Sequence, residues 1–192
     1  MRKSNKTKLR EMGISIHYKG EFKDAAKLAE MVNEVADISE VNKWKHKKFS
    51  HTFENDSFTA FNPSSDIYGI VFSPADCEPV MLCFTCDGRM CNPWYFEMVR
   101  DSHDPEQYEA MRMLSTKTHY AGFETHCRVV DFLKYLSAKY FNNFKVIDET
   151  SYYETADAIK GKQAFDANDT LISAMAKKLQ DNFHGESEEN GN

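Results

Sequence analysis

Two apolar runs, residues 67–72 (IYGIVF) and 80–85 (VMLCFT), constrain the possible folds of this chain more than any other feature. Each has the length and the β-branched, aromatic content of a buried strand. Residues 73–79 alone separate them. That is too short for the crossover that parallel neighbours need, so the two runs predict an antiparallel pair. An Asp87-Gly88 dipeptide follows, and glycine tolerates the positive φ of a hairpin turn. The chain is expected to return through Arg89, Met90 and Cys91 until Pro93 ends the pairing.

The flanking segments extend this centre. Residues 13–19 alternate Ile14, Ile16 and Tyr18 with Ser15, His17 and Lys19, the period of a half-buried strand. Residues 23–41 place Leu28, Met31, Val32, Val35 and Ile38 on one helical face. Residues 42–53 read as a basic strand, and 54–66 as a polar loop with Asn62-Pro63-Ser64-Ser65. Asp104-Pro105-Glu106-Gln107 is a helix start, with an aspartate cap, proline in the first turn and a glutamine able to reach back. That helix is expected to run to about Leu114 and to be followed by a long one over residues 117–141. Residues 144–147 return as a strand after Asn142-Asn143. A last helix carries Leu171, Met175, Leu179 and Phe183 at four-residue steps.

This order predicts an α+β fold: a single two-layer domain over residues 13–183, with a mainly antiparallel sheet of about five strands and helices packed on one face. A flexible basic arm is expected at 1–12 and a disordered acidic tail at 184–192. With 41% hydrophobic and 13% aromatic residues, the chain has the material for a core.

Charge and cysteine content narrow the function classes. No stretch reaches the roughly 18 apolar residues of a membrane span. Five cysteines, an odd number, with no apolar leader predict reduced thiols and a cytoplasmic protein. A net charge of −6 argues against nucleic acid as a general partner. The charge is segregated, however. Residues 1–50 carry 12 Lys/Arg against 7 Asp/Glu, and residues 145–192 carry 5 against 10. Such halves can face each other or different partners.

The candidate site lies on the long helix. His119, Gly122, His126, Val129, Leu133, Leu136 and Tyr140 recur at steps of three and four, so they share one face. A histidine on a core-facing stripe needs a polar partner. Residues 146–155 then bring Asp148, Glu149, Tyr153 and Glu154 into an acidic, aromatic turn. If helix and strand pack together, His119, His126, Asp148, Glu149, Tyr153 and Glu154 form a binding set. His126 would be the acid–base group and Glu149 or Glu154 its partner. The plainer reading is that each imidazole closes a polar gap in the core. The two rings, about 10 Å apart along the axis, do not suit one metal.

Other constellations are weaker. Cys83-x-x-Cys86 with Cys77 and Cys91 resembles zinc spacing, but Cys83 falls inside an apolar strand and residues three apart on a strand diverge. A cysteine nucleophile beside His126 lacks any feature that would activate a particular thiol. Lys43, Lys45 and Lys47 around Trp44 could hold phosphates or a single strand, or simply guard an edge. Phosphate loops, dinucleotide fingerprints, nucleophile elbows and HExxH are absent from the sequence. The expectation is therefore a binding or protein-interaction module with an unknown protein or small-molecule partner, no cofactor and no metal, and a possible homo-oligomer. The alternative is a small-molecule enzyme or ligand sensor, with its pocket between the 117–141 helix and the sheet. Nucleic-acid contact through the basic arm and strand ranks last.

Overall fold

The computed structural model describes residues 13–102 and 104–188. The basic arm expected at 1–12 lies outside the described residues. Strand β1 (Ser15–Phe22) buries Ile16, Tyr18 and Phe22, as its alternation requires. It is the middle strand of a sheet ordered β5-β1-β6, between β5 (Leu114–Lys117) and β6 (Phe141–Asp148), antiparallel to both. The second sheet is ordered β2-β3-β4, from β2 (Lys45–Lys48), β3 (Tyr68–Ser73) and β4 (Val80–Phe84). The two apolar runs are indeed antiparallel neighbours, with Ile70 opposite Leu82.

The α+β class holds, but the single sheet of about five strands is replaced by two three-stranded antiparallel sheets. The returning residues 89–91 explain the difference. They form single bridges, Phe84 with Met90 and Glu21 with Arg89, and not a strand. Met90 N donates to Gly20 O at 2.9 Å, and Phe22 N to Gly88 O at 2.7 Å. This short segment joins the two sheets without fusing them. Phe22 sits at the junction, 5.0 Å from Phe84 and 6.1 Å from both Tyr140 and Phe141, centroid to centroid.

Helices fill the connections. Asp24 caps a short 3₁₀ turn that leads into α1 (Leu28–Val41). The Asn92 side chain accepts from Trp94 N and Tyr95 N and starts α2 (Pro93–Val99), a helix where only an end to pairing was expected. Asp104 caps α3 (Pro105–Ala110), and Gln107 Nε2 reaches back to its carboxylate at 3.1 Å. After β5 come α4 (Gly122–Tyr140), α5 (Tyr152–Thr155) and α6 (Ala158–Glu188). The acidic tail expected from 184 thus begins at the end of α6, and residues 189–192 lie outside the described residues. Tyr140 Oη donates to Glu30 at 3.0 Å and Glu34 at 2.5 Å, fastening α4 to α1.

The helix expected over 117–141 is shorter than that. Leu114 and Thr116 point inward and Ser115 and Lys117 outward, a period of two that pairs with β1 from Ser15 to Tyr18. His119 lies in a 3₁₀ turn (His119–Ala121), and Gly122 at φ +82° separates that turn from α4. Seven residues equal two helical turns, so the His119–His126 spacing imitates a helix that the glycine interrupts.

A candidate functional site: a sealed histidine beneath an open sheet face

The buried stripe of α4 is His126, Val129, Val130, Leu133, Leu136 and Tyr140. Its histidine meets the end of β6, where Asp148 lies on the inner face opposite Ile16. His126 Nε2 is 3.1 Å from Asp148 Oδ1, and neither side chain has exposed surface. Two threonines complete the cluster. Thr118 Oγ1 is 2.8 Å from Nδ1, and Thr150 Oγ1 is 2.9 Å from Nε2. The Thr150 hydroxyl lies 3.0 Å from both Asp148 oxygens and donates to the carboxylate, so it must accept from the ring. The hydrogen count therefore assigns a hydrogen to Nε2.

Asp148 also accepts from Thr150 N and Tyr153 N, each at 2.9 Å. Burial pushes its carboxyl upward, but the bonds from His126 and the two amides outweigh this and hold it at about 2, below the ordinary 3.8. A depressed carboxyl stabilises the fold above its unfolded value, and that contribution is lost as pH falls through the folded value. Urea unfolding between about pH 4 and pH 2 should show a loss of about 2 kcal/mol. Asp148→Asn should remove this acid-dependent step.

The remaining sequence-predicted residues disperse. His119 Nε2 is 3.5 Å from Asp169 Oδ1, and its ring stacks on Phe165 of α6 at 5.5 Å. Glu149 does not approach His126. It lies in the turn just past β6, and its carboxylate accepts from Ser15 N at 2.7 Å. Tyr153 and Glu154 line a cleft of about 790 Å³ over the outer face of the β5-β1-β6 sheet. His126 and Asp148 line none of the cavities described.

That outer face was not singled out by sequence. It presents His17 opposite Ile147 and Lys19 opposite Lys145. Ile147 is 64% exposed, and Met113, which lines the same cleft from the β5 side, is 53% exposed. Among the described residues, neither Lys19 nor Lys145 forms an ion pair. Like charges directly opposite on adjacent strands repel. The alternation of residues 13–19 carries half of this signal. The other half needs the register of β6.

The cysteines and the basic strand read differently. All five thiols are free. Burial pushes Cys77 and Cys91 up to about 12 and Cys127 up to about 11, opposite to the activation a nucleophile needs. No cluster of three or more His, Cys, Asp or Glu suited to a metal occurs among the described residues. Strand β2 is the edge of its sheet, and Trp44 stacks on Phe72 at 5.5 Å. Among the described residues, no helix is long and apolar enough to cross a membrane. Comparison with protein-family models, curated proteins and solved structures finds no match.

Proposed function

We propose that this chain is a non-catalytic interaction module that docks an acidic segment of a partner protein, with apolar side chains, on the outer face of β5-β1-β6. The observation that carries the proposal is the exposure of Ile147 and Met113 beside the unpaired Lys19–Lys145 couple. Exposed apolar surface rimmed by charge is the usual mark of an interaction site. Two lysines and His17 line the cleft against one carboxylate, Glu154. This sign favours an acidic occupant and relieves the repulsion between the lysines. The sealed His126–Asp148 pair anchors β6, the strand that presents Lys145 and Ile147, from the opposite face. An acid–base role for His126 would require a ligand to reach a ring with no exposed surface, so the docking reading is preferred.

The test is a photo-crosslinking amino acid placed at Ile147 or, as control, at the exposed Lys162 of α6 in the full chain. Protein adducts at 147 that are absent at 162 and vanish with Lys19→Glu plus Lys145→Glu are expected. Adducts insensitive to the charge reversal, or no excess over position 162, would overturn the proposal.

A further inference from the structure

We infer that the cleft adjoining this face binds a phosphate group, either free or carried as a monoester by a small molecule. The cleft has a volume of about 310 Å³, at the small end of ligand sites. Lys19, Glu21, Arg89, Glu109, Arg112, Asn143 and Lys145 line it.

Three observations converge. The first is a buried cation. Arg112 is 6% exposed, yet it lines the cleft. Its Nη1 donates to Thr85 Oγ1 at 2.5 Å and Arg89 O at 3.1 Å, and its Nη2 to Asp87 at 3.3 Å. Its Nε is buried and has no partner. Burying a guanidinium with an unmet donor is costly, and a bound anion or water is one way such a donor is met.

The second is the charge balance. Asp87 lies beside both guanidiniums, and Glu109 pairs with Arg89 at 2.8 Å. The arginines are thereby matched. Lys19 and Lys145 remain, faced only by Glu21. Glu21 offsets one of the two ammoniums, so any bound anion answers the charge that remains. A carboxylate offers two oxygens, whereas a phosphate group offers three to the two ammoniums and the Asn143 amide.

The third is a local distortion. Lys19 pairs with Lys145, but Glu21 pairs with Asn142, so β6 carries one extra residue here. Asn143 takes a φ of +50° within this bulge, and its Nδ2 donates to Glu21 at 3.0 Å. Bulges of this kind re-aim side chains beside sites. The result is two ammoniums and an amide brought together from adjacent strands at the cleft edge. Glu21 holds Asn143 in place and also opposes an incoming anion, so it supplies a test of sign.

This site shares Lys19 and Lys145 with the docking face but does not depend on it. The experiment is calorimetric titration of the full chain with inorganic phosphate and, separately, phenyl phosphate, at ionic strength matched with sodium chloride. Binding with a Kd on the order of 1 mM or tighter is expected. Lys145→Gln should weaken it by about tenfold, and Glu21→Gln should tighten it by about threefold. Ile147→Ser, a neutral change that bears on the docking face alone, should leave it unchanged. Tighter binding of the ester identifies an esterified ligand, and equal or tighter binding of inorganic phosphate identifies the free anion. The exposed Lys145 has no structural partner to lose, so its variant should melt no lower than the parent. No binding of either probe beyond that of chloride, or binding indifferent to both Lys145→Gln and Glu21→Gln, would overturn the inference.

Discussion

Replacing Gly69 with alanine is expected to destabilise the chain by about 4 kcal/mol or more, the upper end of single substitutions. Gly69 sits in β3 opposite Cys83, with φ at +114°. A β-carbon there would lie 2.1 Å from the carbonyl oxygen of Leu82. Two effects add. An L-residue is strained at that φ, and the clash is with backbone, which has no rotamer to yield. Relief requires β3 and β4 to separate, and these strands carry Ile70, Phe72, Leu82 and Phe84, all fully buried. Urea unfolding followed by circular dichroism measures the effect. A loss below about 1 kcal/mol would mean that the strands are not paired in this register.

His126→Ala is the second large effect, with an expected loss of about 3–5 kcal/mol near neutral pH. The cost comes less from the missing ring than from what it leaves behind. Asp148 stays buried and loses the partner that most lowers its pKa. The acid dependence carries the diagnosis. In the parent, the depressed carboxyl loses its stabilising contribution as pH falls toward 2. In the variant, only the two amides and the Thr150 hydroxyl oppose the desolvation of Asp148, so its carboxyl is less depressed and less stability is lost on acidification. The gap between the two proteins should narrow on acidification. Adding Asp148→Asn to His126→Ala should recover part of the loss. A gap independent of pH, with no recovery in the double variant, would show that only a cavity had been created.

That His126 turns inward toward a carboxylate was legible in two local patterns, but the partner expected for it was Glu149 or Glu154, and the structure places Asp148 there. The three-and-four spacing of α4 turned the ring inward, and the following strand brought a carboxylate back along the same layer. Thr118 and Thr150 were not legible. A hydroxyl that closes a hydrogen-bond network has no periodic signature, although Asp148-x-Thr150 is a spacing at which a carboxylate can bond a backbone amide two residues on. His119 was misplaced because a seven-residue step reads as two helical turns unless Gly122 is recognised as a break. Proximity in sequence links Glu149 to His126, but the residue lies in the turn past β6, where its carboxylate bonds Ser15 N.

The outer face was illegible for a different reason. Lys19 and Lys145 are far apart in the chain, and their opposition exists only once β1 and β6 pair in register. The same holds for the two sheets. Local patterning identifies β1, β3 and β4, but whether residues 89–91 fuse or merely bridge them depends on hydrogen bonds between distant segments. Long-range pairing of strands leaves little trace in local sequence, whereas amphipathic helices and caps leave a great deal.

Hydroxyl-radical footprinting of Met113 against Met98 tests the docking face most directly. Met113 borders the proposed surface, and Met98, on α2, is 79% exposed. The full chain is labelled once in buffer and once in a concentrated extract of the cells that make it. Oxidation of Met113 should slow in the extract while Met98 oxidises at the pace set by the bulk radical dose. An unchanged ratio between the two methionines in buffer and extract would contradict the assignment of this sheet face as the surface through which the chain acts.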